Sequence, residues 1–325
     1  MTLHLLLLGA LCAALSLPAN AQIVLRQGSN SPPGTVFFDH FQKFKATLER
    51  TTQGAIRVEL NTNEPNELNL LSNLRRGRVE CAGTSLQGAA TVLPEVALLQ
   101  LPYLFASHRQ VDHVYGALTD TYRRLFAARG LQLLHFGEVG FFNVFSTTPI
   151  KTPADVAGVK LRATQSRVSQ AWIKAIGAEP VVLAFGELLP ALRTGLVKGG
   201  EASVVIYDLL FSKGAPHFVL TQHSFDSGVI LCNKEWFDQL SPAHQQLVSA
   251  AWDRDGQVRD VRAQVERVLA GAAAKGVNVV RPSEAELAPW RAAGARAADE
   301  VMKTLPPEAA KLREQIQRAV AAAPR

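Results

Sequence analysis

Between residues 23 and 206, apolar runs of strand length alternate with stretches of helical periodicity, and this alternation narrows the possible architectures. Strands separated by helical stretches need crossovers that lay helices on sheet faces, so the chain reads as a layered α/β protein. Residues 23–26 read as a strand, 37–48 as a helix, and 56–60 as an alternating strand after the turn Thr52-Gln53-Gly54. Residues 68–74 are apolar at helical spacing and stop at Gly77, 81–84 form a short buried strand, and 111–126 are helical again.

The clearest local grammar lies in the middle of the chain. Thr152 is placed as an N-cap, Pro153 as the first helical residue, Asp155 as a first-turn acid and Gly158 as a stop. A one-turn helix therefore joins two strands. In the second, 159–163, Val159, Leu161 and Ala163 share one face. Lys160 and Arg162 take the other, where two basic groups either sit exposed or line a cleft. Beyond it, 168–176 is a helix closed by Gly177, 181–183 a strand, 187–194 a helix closed by Gly195, and 202–206 an apolar strand. Ser241 and Pro242 open a long helix towards Gly276, and Ser283-Glu284-Ala285-Glu286 is a capping box that opens another. No repeat or low-complexity linker interrupts the pattern, so two domains would share several crossings rather than one tether.

Residues 3–17 are an apolar run too short to span a bilayer, ended by Ala19-Asn20-Ala21 before Gln22, and 1–21 read as a secretory signal peptide although Met1 to His4 carry no Lys or Arg. Cys12 follows Leu11, where a lipoprotein signal needs a small residue, so no lipid anchor is expected. No second run of about 20 apolar residues follows. Export to the periplasm as a soluble protein is the expectation. Cys81 and Cys232 each sit in an apolar stretch, compatible with two buried thiols or one long-range disulfide.

Lys and Arg number 34 against 28 Asp and Glu, a formal charge of +6, without a basic run interleaved with aromatics. A nucleic-acid partner is therefore set aside. The nearest approach to a nucleophile elbow is Gly83-Thr84-Ser85-Leu86-Gln87-Gly88, whose glycines are one residue too far apart. P-loop, H-E-x-x-H, C-x-x-C and G-x-G-x-x-G motifs are absent, and His108 and His113 are five apart, off the i, i+4 spacing of helix ligands. No metal, cofactor or catalytic residue is expected. The weight shifts to a binding protein, which needs only a cleft and a few fixed polar groups.

Three ordered segments carry a resemblance: Leu98-Leu99-Gln100-Leu101-Pro102-Tyr103-Leu104-Phe105; Thr148-Pro149-Ile150-Lys151-Thr152-Pro153 running on to Gly158-Val159-Lys160-Leu161-Arg162; and Gly177-Ala178-Glu179-Pro180 followed by Phe185-Gly186-Glu187 and Ala191-Leu192-Arg193-Thr194-Gly195. In these the chain resembles the solute-binding proteins of tripartite ATP-independent periplasmic (TRAP) transporters, of the dicarboxylate-receptor type. The resemblance implies a two-domain periplasmic-binding-protein (Venus-flytrap) fold with crossing hinge strands and a long inter-domain helix. Domain I would hold 22–140 and about 228–270, and domain II about 141–227 and 271–325 with the C-terminal helices. It also implies a small organic anion as ligand, transporter membrane subunits as partners and a monomer. Presentation of the ligand to a signalling partner is the alternative, and an exported hydrolase a lesser one.

Arg162 is then the group that clamps a substrate carboxylate, and Phe185 packs on the ligand. Two positions depart from the family pattern: Phe142 stands where an Arg is usual, and Ala202 where an Asn commonly touches the carboxylate. Losing two polar contacts and gaining a ring suits a monocarboxylate with an apolar or aromatic body. Further pocket candidates are polar residues at strand ends: Asn30, Thr84, Ser85, Glu138, Gln165 and Tyr207.

Overall fold

A computed structural model describes residues 22–324 apart from 63 and 65; the expected signal segment lies outside the described residues. In chain order the elements are β1 (Ile23–Ser29), α1 (Val36–Thr51), β2 (Ile56–Asn61), α2 (Glu67–Arg75), β3 (Cys81–Ser85), α3 (Leu86–Ala89), α4 (His108–Ala127), β4 (Leu131–Phe136) and β5 (Gly140–Ser146). Then follow β6 (Lys160–Ala163), α5 (Arg167–Ala175), β7 (Glu179–Val182), α6 (Leu188–Thr194), β8 (Gly199–Ser203), α7 (Val204–Ile206), β9 (His217–Asp226) and β10 (Gly228–Asn233). The chain ends with α8 (Lys234–Gln239), α9 (Pro242–Ala250), α10 (Arg254–Gly271), β11 (Asn278–Val280), α11 (Glu284–Met302) and α12 (Ala309–Ala322).

Two mixed sheets organise these elements. The first has the order β2-β1-β3-β10-β4, with β1 parallel to both neighbours and β10 antiparallel to β3 and β4. The second has the order β11-β9-β5-β8, and β6 and β7 form a separate parallel pair. Strand β10, which follows β5, β8 and β9 of the second sheet in sequence, is thus inserted between first-sheet strands that precede it. Cores cover both faces of the first sheet, one under α2 and α4 with Leu70, Val114 and Phe126, the other under α1 with Phe44, Leu48 and Val248. This two-sided burial is why the inner strands β3 and β10 are buried almost throughout, while the edge strand β2 alternates.

Two direct strand-to-strand connections pass between the sheets. Residues Gly137, Glu138 and Val139 join β4 to β5, and Ser227 joins β9 to β10. These connections are tied together, the Gly137 N–H donating to the Gly228 carbonyl (2.7 Å) and the Val139 N–H to that of Asp226 (3.1 Å). Helix α10 bridges them on the outside: Asp260 near its start meets His40 of α1 at 2.9 Å, while Val268 near its end packs with the second-sheet core. Crossing strands and a long bridging helix are the expected fold.

Three expectations are corrected. Residues 202–206 are not one strand, because β8 ends at Ser203 and the chain turns into α7 and a π-helical turn over Tyr207–Phe211. An apolar run of that length fits a buried strand or a buried helix equally well. The long helix from Ser241 is broken after Ala250: the Asp253 side chain accepts the Gly256 N–H (2.9 Å) as a fresh N-cap, while Trp252 turns inward and stacks on Phe44 (4.2 Å). The tail from 271 divides, with α11 seating Trp290 in the core beside α5, and α12 laying Leu312 and Ile316 on the core under α4 of the first sheet. Cys81 and Cys232, left open by the sequence, face each other across β3 and β10 and are joined as a disulfide.

Candidate functional site

A cavity of about 200 Å³ lies between the two sheets, lined from both sides. Arg162 enters it from β6. The strand places Lys160 outward, 4.0 Å from Glu179, and carries the Arg162 side chain inward, where the residue is 6% exposed. The two basic groups are i and i+2 on one strand, but Lys160 lies at its exposed start and Arg162 where it is buried. Arg162 Nε donates to the Leu183 carbonyl (3.2 Å), and among the described residues no carboxylate oxygen lies within 4.0 Å of its nitrogens. Burial pulls its pKa down to about 10, against the raising effect of Glu201, Glu67 and Glu187, so at neutral pH it is a buried cation. A buried charge without a partner is costly, and here the open side faces the cavity.

Among the described cavity-lining residues Arg162 is the one Lys or Arg. Phe142 of β5 and Ala202 of β8 line the cavity. Phe185 lines it too, from a turn before α6, with its edge toward Phe211 (6.4 Å). Asn30 and the exposed Gln165 are also at the wall.

The remaining candidates turn out to be occupied. The Ser85 hydroxyl donates to Glu67 Oε2 (2.8 Å) and accepts the Gly88 N–H (3.0 Å), capping α3. The Thr84 hydroxyl and the Ser85 N–H both donate to Glu67 Oε1, at 2.8 and 2.7 Å. These two residues thus act as the cradle of an acid. Glu138 is gripped by Arg262, whose Nε donates to both carboxylate oxygens (3.1 and 2.8 Å); burial pushes its pKa up while Arg262 opposes. It serves the crossing strand rather than projecting as a free group. Tyr207 does not line the cavity: its ring stacks on Phe218 (4.0 Å), its hydroxyl donates to the Ala215 carbonyl (2.8 Å), and burial raises its pKa.

Four acids at the cavity wall escaped the sequence reading: Glu67 of α2, Glu201 of β8, Asp226 of β9 and Asp253 before α10. Glu201 Oε2 pairs with His223 Nε2 (2.8 Å), whose Nδ1 meets the Thr221 hydroxyl (2.8 Å), and the imidazole stacks on Trp172 (4.1 Å). The set is satisfied when Nε2–H donates to Glu201 and the Thr221 hydroxyl donates to Nδ1. Glu201 Oε1 is buried without a hydrogen-bond partner, and so is Ser203 Oγ two residues on. Asp226 accepts from Gln100 Nε2 (2.7 Å), and burial, with Glu67 and Glu201 as like charges, pushes its pKa well above the ordinary carboxylate range. The available signal was an acid inside the small, apolar strand Gly199–Ser203, where a buried charge needs a partner. Among the described residues no group of three or more His, Cys, Asp or Glu could hold a metal ion.

Against known proteins, the profile of the bacterial extracellular solute-binding proteins, family 7, matches residues 27–305. The 2,3-diketo-L-gulonate-binding periplasmic protein YiaO of Escherichia coli strain K12 is 29% identical over 249 residues, 74% of this chain and 75% of that one. The C4-dicarboxylate-binding periplasmic protein DctP of Rhodobacter capsulatus is 30% identical over 237 residues, 71% of each. Among solved structures, the sugar acid binding protein DctPAm of Advenella mimigardefordensis strain DPN7T, in complex with galactonate, superposes with a TM-score of 0.86 at 26% identity, covering 93% of this chain and 98% of that one.

Proposed function

We propose, since the chain belongs to the bacterial extracellular solute-binding proteins of family 7, that it captures an organic carboxylate on Arg162 and delivers it to the membrane subunits of a TRAP transporter. The observation that carries this is a guanidinium buried in the cavity wall with no acid within 4.0 Å among the described residues. A guanidinium presents a planar fork that takes a carboxylate through two parallel hydrogen bonds and stays charged.

The ligand class narrows to a monocarboxylate with an apolar or aromatic body. A second carboxylate would find no other Lys or Arg at the described wall, and would face Glu67, Glu201 and Asp226 instead. Phe142 and Phe185 offer the body two rings. The C4-dicarboxylate receptor of Rhodobacter capsulatus is related but would differ in this respect, while the galactonate of the Advenella mimigardefordensis complex has the single carboxylate inferred here.

The work is binding rather than turnover. Ser85, the one serine in an elbow-like sequence, spends its hydroxyl on Glu67 and Gly88. Periplasmic residence is supported by the relatives' names and by the disulfide, which persists in oxidising compartments; among the described residues no helix is long and apolar enough to cross a membrane. Isothermal titration calorimetry with aromatic and branched monocarboxylates, succinate and malate tests the reading. Arg162→Ala should abolish carboxylate binding in a folded protein. Retained affinity in that variant would remove Arg162 from its role, and micromolar binding of succinate or malate alone would remove the monocarboxylate assignment.

A further inference from the structure

Resting on the carboxylate reading above, the cavity wall says more about its ligand than the anion alone. Five acids line it with one cation, and three of them, Glu67, Asp226 and Glu201, differ in how well they are satisfied. Glu67 accepts three hydrogen bonds from Thr84 and Ser85. Asp226 Oδ1 is held by Gln100 Nε2 (2.7 Å). Glu201 alone keeps an empty acceptor: Oε2 is bound to His223, but Oε1 is buried without a donor, on a residue 3% exposed.

The unmet oxygen has company on its own strand. Ser203, two residues along β8 and so on the same face, lines the same cavity with a buried hydroxyl that has no partner. His223, stacked on Trp172, anchors the Glu201 carboxylate, so it has little freedom to turn toward another donor. Charge points the same way. The Arg162 cation is already opposed by Glu201 and Glu67, so a bare anion added to it would bring like charge to two buried or half-buried acids.

We propose that the ligand of this cleft is a zwitterion, with a carboxylate on Arg162 and a protonated nitrogen that donates to Glu201 Oε1 and Ser203 Oγ, its carbon body lying against Phe142 and Phe185. A hydroxyl in place of the nitrogen satisfies the empty acceptor but leaves the charge imbalance. A carbon–hydrogen group satisfies neither. A site built around a buried acceptor rejects the analogue that lacks the donor, because the acceptor is then left desolvated and unpaired.

The test is calorimetry on the protein freed of bound ligand by unfolding and refolding, with matched α-amino, α-hydroxy and unsubstituted acids on phenyl, isobutyl and cyclic bodies. On the body that binds, the amino acid is expected to be tighter than the unsubstituted acid by about 100-fold. Glu201→Gln should shrink that preference to under about tenfold. Should that variant not fold, Ser203→Ala, which keeps the Glu201 to His223 pair, should reduce the same preference. An unsubstituted acid binding as tightly as its amino partner would mean that water, not ligand nitrogen, donates to Oε1, and would overturn the inference, as would silence of every amino acid. If amino acids are silent while other carboxylates bind through Arg162, the carboxylate reading stands. If all are silent, it falls as well.

Discussion

A buried arginine and a half-buried histidine in the same cleft carry opposite consequences. For Arg162, charge is only half of its value, the other half being the paired donors of a flat fork. Arg162→Lys keeps the charge and loses the fork, so affinity for the carboxylate should fall about 30-fold, about 2 kcal/mol, read by calorimetry. His135 lines the cavity with both ring nitrogens buried and unpartnered, and burial lowers its pKa from 6.5 to about 4. The unfolded chain therefore takes up a proton on this residue below pH 6.5 that the folded protein refuses, and stability drains as pH falls from 6.5 towards 4. His135→Phe should lose less of its melting temperature over that interval than the parent, measured by thermal denaturation against pH. Glu67 and Glu201 were not legible in the sequence for a reason special to this scale. Their surroundings come from Thr84, Ser85 and His223, which are 17 or more positions away, and no local pattern records who will stand opposite a carboxylate.

Elements with their punctuation written locally were read correctly. Thr152 and Asp155 cap their turn, Ser283 and Glu286 close a capping box, and Gly177 and Gly195 take up the left-handed conformation at helix ends. Failures came where a tertiary contact overrode local preference. Trp252 breaks the helix because its ring gains more against Phe41 and Phe44 than a straight helix would allow, and Asp253 supplies the restart. The β3–β10 pair belongs to this scale too, since its register sets Cys81 directly opposite Cys232. In the loop-closure picture a bond across a sequence separation of 151 destabilises the unfolded chain by about 5 kcal/mol. Replacing both cysteines by serine, or adding reductant, should lower the denaturant midpoint accordingly, with ligand affinity largely kept in the folded fraction.

At the level of the whole molecule, the two sheets are held at their crossings by Arg262 of α10. It grips Glu138 on one connection and donates to Asp112 of α4 (2.9 and 2.6 Å). Removing it strands the Glu138 carboxylate in a buried site, an arrangement that costs about 3–5 kcal/mol. Arg262→Ala should therefore unfold at clearly lower urea at pH 7, recover as acid protonates Glu138, and be rescued in part by Glu138→Gln. The layered α/β character was foreseeable from the alternation of strands and helices, and the partition into two sheets was implied by the family resemblance. The destination of α12 was not, because an amphipathic tail declares that it has an apolar face without saying which core will receive it.

The bond between Cys81 and Cys232 also changes what the molecule is as a physical object. It closes a ring of backbone that contains β4 through β9, with two open tails outside it. A protease that cuts once anywhere within the ring severs the chain without parting it: the product runs as one band on a non-reducing gel and as two after reduction. Pulled by its ends in an optical trap, the oxidised protein yields only the slack of its tails. Roughly 500 Å of contour, a sequence separation of 151, stays locked until a reductant is added, and appears then in a single step.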